Sequence, residues 1–395
     1  MLKKNIIFKN FNSIKSNSNK KKIKNILQLF LQKKNHILES LKNNYKDSFN
    51  TKILSKYKKF DKLRIVGMGG SILGAKAIYD FLNPKSKKFS FVDSFSNRII
   101  DKKDHTKINL IISKSGNTLE TISNSNILIK KKQLNIFLTE NKKSYLMNLA
   151  KKLRADVIHH NNYIGGRYSV LSEVGMLPAE LMGFKAQKFR RLNLMIKNKH
   201  FINLLVENVA NILNLTKQKK SNSIILNYDN KSENLFYWYQ QLVAESLGKK
   251  SKGILPMISN MPKDNHSLMQ YYLDGTKNNF FTLFFVKDKS FNINNKKLLS
   301  THSFLRGKNL NDISYSQFVA TARVFKEKKI PFRSFFINNR NEETLGELFI
   351  FFILETILLG KAMKINPFNQ PAVELIKKET KKILINFSTS KKNFR

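Results

Sequence analysis

Ile65-Val66-Gly67-Met68-Gly69-Gly70-Ser71 is an apolar run that breaks into glycines and a serine, and it reads as a β-strand ending in a turn to a helix. A second segment of the same kind follows, Ile111-Ile112-Ser113-Lys114-Ser115-Gly116-Asn117-Thr118. Glycines let the backbone turn tightly and approach a ligand, and the N–H groups opening the next helix carry partial positive charge. The hydroxyls of Ser71, Ser113, Ser115 and Thr118 add donors with little bulk, so the two loops together suit a phosphate, either of a mononucleotide or of a sugar. The first loop lacks the Gly-Lys-Ser/Thr ending of a P-loop. It also puts Ile72 where the third glycine of a dinucleotide fingerprint belongs, with Gly74 two positions late. Either loop alone is equally a plain strand-to-helix turn; two in succession favour a site.

Outward from these loops, short apolar runs (Arg64 to Val66, Ser90 to Val92, Ile108 to Ile112, Asn135 to Leu138, Val157 to His159) alternate with helix-length amphipathic stretches. That alternation predicts an α/β fold with a doubly wound parallel sheet, whose ligands bind at the C-terminal ends of the strands. A second alternation begins near Ser223, with strands expected at Ile224 to Leu226, Phe281 to Val286 and Phe332 to Ile337. Its helices are expected at Asn234 to Leu247, Tyr315 to Glu327 and Glu343 to Met363. The expected organisation is a helical segment over 1–58, α/β domains over 59–200 and 201–365, and a C-terminal helix over 366–395. Within the first segment Ile26, Leu27, Leu29, Phe30 and Leu31 form the expected apolar stripe.

The chain's 395 residues and 41% hydrophobic content suffice for two cores, and the absence of cysteine excludes disulfides, thiolate metal sites and cysteine nucleophiles. Of the 72 basic residues 61 are lysine, spread through a chain rich in Asn and Ile, so the formal charge of +45 follows overall residue usage. A nucleic-acid surface would cluster charge and use arginine; the sole dense run is Lys20, Lys21, Lys22 and Lys24, and no nucleic-acid partner is expected. Leu345 to Leu359 is interrupted by Glu347 and Glu355 and is too short to span a bilayer. Met1 to Phe11 mixes lysine and asparagine into its apolar positions and does not read as a secretory signal. A cytoplasmic location without membrane contact is the expectation.

Four residues combine reactive side chains with suggestive settings. Glu245, near the end of an apolar helix bearing Trp238, could act as a general base, or be a solvated helix-end carboxylate. His266 has Asp264 beside it to orient its imidazole, although Asp264 is equally a turn residue or helix cap and the histidine equally a solvent-exposed one. Arg167 follows Gly165 and Gly166, where a guanidinium can come close to an anion, and a surface arginine is the alternative. Lys377 sits among Lys378, Lys381 and Lys382 and reads without further context as a solvated face.

Six motifs in order change these weights: Gly-x-Gly-Gly-Ser, Ser-Lys-Ser-Gly-x-Thr-x-Glu-Thr, Gly-Gly-Arg-Tyr-Ser-Val-Leu-Ser, Ala-Glu-Ser-x-Gly-Lys, Asp-x-His-Ser and Asn-Pro-Phe-x-Gln-Pro-x-Val-Glu-x-x-Lys. From Gly67 to Lys377 the chain resembles the phosphoglucose isomerase family. The resemblance implies two sugar-isomerase (SIS) domains and metal- and cofactor-free interconversion of glucose 6-phosphate and fructose 6-phosphate. It also implies a homodimer whose active site takes its histidine from the neighbouring subunit. By the same resemblance Glu245 matches the base that moves the proton between C1 and C2, and Arg167 the group that steadies the enediolate. His266 and Lys377 match the ring-opening groups. Gly70, Ser71, Ser113, Lys114, Ser115 and Thr118 match phosphate-binding positions, with Gln370 near the phosphate. Asn265 stands where the family usually has glutamine. The Ser-Gly-Asn-Thr run is also similar to the loop of dual phosphoglucose/phosphomannose isomerases, which leaves the choice of sugar open. A non-catalytic sugar-phosphate sensor, the remaining alternative, needs the loops but not Glu245, His266 and Lys377.

Overall fold

The computed structural model describes residues 5–11, 19–95, 108–130, 133–288 and 300–392. Among the described residues ten strands, β1 (Ile6–Lys9), β2 (Lys62–Val66), β3 (Lys88–Val92), β4 (Ile108–Ile112), β5 (Leu134–Thr139), β6 (Asp156–His159), β7 (Asn222–Asn227), β8 (Leu255–Asn260), β9 (Asn279–Val286) and β10 (Phe332–Ile337), make two five-stranded sheets. The first runs β3-β2-β4-β5-β6, all parallel. Every residue of β4 is buried, as expected of a strand covered by helices on both faces. Strand order reverses between β2 and β4, and the crevice at such a reversal is where α/β sheets bind ligands. Both glycine loops leave from that crevice.

The second sheet runs β1-β10-β9-β7-β8, with β7, β8, β9 and β10 parallel and β1 antiparallel to β10. Its own reversal, between β7 and β9, is closed by ion pairs. Arg340 binds Asp229 and lies 3.4 Å from Asp288, and Lys231 reaches Asp288 at 3.0 Å. Apart from β1, the strands of the first sheet precede residue 200 and those of the second follow it.

That strand corrects the expectation of an N-terminal segment built of helices. Ile6 and Phe8 point into the core while Ile7 and Lys9 face out, a period of two that suits an edge strand. Strand β8 was also not expected, because Pro256 breaks its pattern; it is an edge strand, where proline costs no central ladder bond. The expected helices appear as Glu233–Leu247, Leu310–Glu327 and Glu342–Ala362. The second begins earlier than its apolar pattern because Asn309 and Asp312 form a reciprocal capping box.

In the Lys20–Gln32 helix the buried stripe is Ile23, Leu27 and Phe30, spaced by four and three, rather than the contiguous run expected. Leu29 is 60% exposed, and Lys21, Lys22 and Lys24 form the solvated face. Helix Glu342–Ala362 is the centre of the core, buried continuously from Thr344 to Gly360. Its two interrupting carboxylates are neutralised inside: Glu347 by Arg191 at 3.1 Å, and Glu355 by Arg333 and Tyr239. Among the described residues no helix is long and apolar enough to cross a membrane.

Candidate active site

Helix Leu73–Leu82 follows the first glycine loop and packs along helix Glu233–Leu247 of the second sheet's unit. Trp238 fixes the latter helix to the core, its ring edge-on to Phe349 with centroids 4.7 Å apart. The last turns of the helix therefore lie over the loop. Gly69 has a φ of +52°, and a side chain on it would strike Gln241, its Cβ standing 2.7 Å from Nε2. One turn on, Gln241 Nε2 donates to Glu245 Oε2 at 3.1 Å.

Arg167 enters from the other side, on the 3-10 segment Gly166–Leu171, and is buried. Its Nε donates to Ser246 Oγ at 2.9 Å, and its Nη2 to the carbonyl oxygens of Pro367 at 2.9 Å and Asn369 at 3.1 Å. Nη1 donates to Gln370 Oε1 and stands 3.4 Å from Glu245 Oε1. With Nε committed to Ser246, that hydroxyl donates to Tyr168 Oη at 2.8 Å, and Tyr168 donates to Pro367 O at 3.0 Å. Burial pushes the Tyr168 hydroxyl up, so it stays a donor at neutral pH. The guanidinium is thus locked on three sides and presents one edge to Glu245.

Glu245, Lys249 and Gln370 line a cavity of about 660 Å³, roomy enough for a sugar phosphate. Glu245 also lines a neighbouring one of about 550 Å³ with Gln241 and Lys76. Only a fifth of the Glu245 side chain is exposed, 19%, so the carboxylate is neither a core group nor a freely solvated one.

The second loop lies beside the first, since a Cβ on Gly67 would stand 3.0 Å from Ile112 O. Gly116 has a φ of +64° and its Cβ position is filled by Ser144 Oγ, 2.2 Å away. Ser113 Oγ and Thr118 Oγ1 share a hydrogen bond of 2.9 Å. Thr118 precedes helix Leu119–Leu128 without its side chain capping it, leaving the helix's opening N–H groups directed at the crevice. Ser115 is exposed and accepts from Asn117 N at 3.2 Å, while Lys114 Nζ turns to Asn162 O at 2.9 Å.

Two expected members lie apart from this cluster. His266 is exposed, and among the described residues its ring has no hydrogen-bond or ion-pair partner. Asp264 does not orient it: the carboxylate accepts from Asn260 N at 2.7 Å, Ser259 Oγ at 3.1 Å and Ser267 Oγ at 3.0 Å, which holds the turn after β8. Lys377 is exposed on helix Val373–Lys392 and pairs with Glu374 at 2.7 Å. It stands one turn beyond Val373, which lines the cavity.

Residue-type reasoning missed four participants: Gln241, Ser246, Tyr168 and Lys249. The first lies one helical turn before Glu245; the others adjoin or share the motifs carrying Glu245 and Arg167. Lys249 Nζ donates to Ser246 O at 2.9 Å and Asn366 O at 2.7 Å. Burial, with Arg167 beside it, lowers its ammonium from the ordinary 10.5 to about 8, against the opposing pull of Glu245.

A family model described as phosphoglucose isomerase matches residues 31–394. A glucose-6-phosphate isomerase of Methanocaldococcus jannaschii is 32% identical over 375 residues, covering 87% of this chain and 90% of its own length. The enzyme of the same description from Mycoplasmopsis pulmonis is 32% identical over 354 residues, 82% of each chain. Among solved structures, a hypothetical protein of Thermus thermophilus superposes with a TM-score of 0.79 at 22% identity, over 92% of this chain and 94% of that one. A Chlamydia trachomatis glucose-6-phosphate isomerase superposes with a TM-score of 0.68 at 22% identity, over 85% of this chain and 72% of that one. These two likenesses concern the fold.

Proposed function

The chain belongs to the phosphoglucose isomerase family, an aldose–ketose isomerase family, and from that premise we propose that Glu245 and Arg167 carry the interconversion of glucose 6-phosphate and fructose 6-phosphate. The observation that supports this most is their pairing: a carboxylate that lines the cavity and a locked guanidinium stand 3.4 Å apart.

The aldose and the ketose differ in the place of two hydrogens, one moved from C2 to C1 and one from the C2 oxygen to the C1 oxygen, so both travel as protons and the sugar stays at one oxidation level. Glu245 takes the proton from C2 of the open-chain aldose and returns it to C1, leaving a cis-enediolate between the two steps. The Nη1 edge of Arg167 faces the oxygen that becomes negative, and its other donors are already spent on fixed partners, so little reorganisation accompanies the charge. Gly70, Ser71, Ser113, Lys114, Ser115 and Thr118 hold the phosphate, with Gln370 nearby. That remote grip converts binding energy into alignment of C1 and C2 with Glu245.

Ring opening falls to Lys377 and to His266 of the partner subunit. The Lys377–Glu374 pair is an exposed (i, i+3) contact of the kind that contributes little, so the ammonium is free to swing to the cavity. The exposure of His266 and the exposed apolar side chains Leu375, Ile376, Leu384 and Phe387 of the last helix support a homodimer that completes the site. The reaction is assigned to the cytoplasm, where its phosphorylated substrates are held.

Purified protein in chelator should convert fructose 6-phosphate to glucose 6-phosphate in a coupled assay, with mannose 6-phosphate run in parallel. No turnover of fructose 6-phosphate would overturn the proposal, and turnover of mannose 6-phosphate would widen it to a dual isomerase.

A further inference from the structure

The turn after the Glu245 helix is built under strain. Lys250 and Ser251 both have a φ of 54°, a region that L-residues other than Asn and Asp rarely occupy, and Gly253 has a φ of 130°. Lys249 N donates to Leu247 O at 2.8 Å, and a bridge between Lys249 and Lys252 closes the turn. The tight closure aims one side chain. Lys249 Nζ spans from Ser246 O, in the last turn of the Glu245 helix, to Asn366 O, the first residue of the Asn366 to Gln370 turn.

That second turn is the cradle of Arg167. Pro367 O and Asn369 O accept from Nη2 and Gln370 from Nη1, while Ser246, whose carbonyl receives Lys249, accepts from Nε at its hydroxyl oxygen. Two cations therefore share one short run of carbonyls, and the same run is tied to the base's helix through Lys249. Charge-assisted bonds to carbonyls are the stronger kind, and a methylene chain of fixed reach sets the distance between the two segments.

We propose that Lys249 is a positioning residue, clamping the Asn366 to Gln370 turn onto the end of the Glu245 helix so that Arg167 keeps its edge toward the base. The inference rests on the isomerase reading for its kinetic consequence but not for the clamp itself. The charged groups facing Lys249 are Arg167 and Glu245; from the Asn366 turn it meets a carbonyl. As the ammonium sheds its proton it keeps at most weak neutral bonds, and the clamp slackens.

Two measurements test this. Hydrogen exchange followed by mass spectrometry on the dimer or monomer as purified should show the peptide containing 366–370 exchanging at least about tenfold faster in Lys249→Met than in wild type, with Lys249→Arg close to wild type. Equal exchange in Lys249→Met and wild type overturns the clamp whatever the enzyme does. In the isomerase assay Lys249→Met should lose kcat by about tenfold or more with KM nearly unchanged, and Lys249→Arg should carry the alkaline fall of kcat to higher pH. Unaltered kcat in Lys249→Met, or an alkaline fall that stays in place in Lys249→Arg, overturns the positioning role. Absent turnover in wild type would strike the isomerase reading alone, since the exchange result still decides the clamp.

Discussion

A Cβ added to Gly70 would stand 2.2 Å from the carbonyl carbon of Gly166, whereas one added to Gly166 would meet nothing nearer than the Gly70 Cα at 3.9 Å. The two glycines touch, yet only one of them is sterically required. Gly70→Ala must push two backbones apart, and overpacking of this sort costs about 1–3 kcal/mol. It should lower the denaturant midpoint and displace Arg167, the next residue. Gly166→Ala should be close to wild type in both stability and activity; equal damage from the two substitutions would contradict the packing described.

Glu245→Gln removes the carboxylate proposed as the base while keeping size and most hydrogen bonding. Substrate affinity, read by calorimetry with fructose 6-phosphate, should hold, and kcat should fall by about 10²–10⁴-fold. Arg167→Lys, which replaces five fixed donors by one mobile ammonium, should cost kcat more than KM.

Mixing the two inactive proteins Glu245→Gln and His266→Ala tests the shared site. Random reassociation makes half of the dimers mixed, each with one complete site, so roughly a quarter of wild-type activity should return. Failure to complement would place His266 outside the neighbouring subunit's site.

The pH profile should separate activity from stability above neutrality. Lys249 has a lower pKa folded than unfolded, about 8 against 10.5, so between those values the unfolded chain binds the extra proton. Stability contributed by this partly exposed group therefore rises with pH through that window, while its clamp is lost. Activity should decline through about pH 8 with no accompanying fall in the denaturant midpoint at the same pH.

Arg333 and Glu355 are both fully buried, and the pair is completed by Tyr239, Asn208 and Thr282. Glu355→Leu alone strands a buried guanidinium and should cost about 3–5 kcal/mol in urea unfolding; Arg333→Met with Glu355→Leu together should recover much of it. Tyr239 lies on the Glu245 helix, so the single variant should also lose activity through that helix's placement.

Local grammar made much of this chain legible. β4 announces itself as a run of apolar residues, and the two glycine loops lie where a strand must turn into a helix. β8 was hidden because Pro256 masks an edge strand, and β1 because four residues are too few to show a period against lysine-rich surroundings. The role of Asp264 stayed open between orienting His266 and holding a turn, since adjacency in sequence says nothing of direction: its carboxylate turns back to β8 rather than toward His266. Lys249 closes the Ala-Glu-Ser-x-Gly-Lys motif, yet as one of 61 lysines it carries no sign of a role until its reach to Asn366 is seen.

Sequence by itself determined the parallel α/β architecture and the place of the two glycine loops at the ends of β2 and β4, and it singled out the residues proposed for the acid–base and cationic roles, because these follow from short-range periodicity and from motifs a few residues long. Only the tertiary structure decided that Glu245 meets Arg167, that Arg167 is bound by the backbone of a turn some 200 residues away, with separations of 200 to Pro367 and 202 to Asn369, and that Lys249 ties that turn to the base. The physical reason is that carbonyl oxygens, which every residue carries, do this work. Their positions are set by packing of the Leu73–Leu82 helix, the Glu233–Leu247 helix and the buried central helix against one another, and no side-chain alphabet records them.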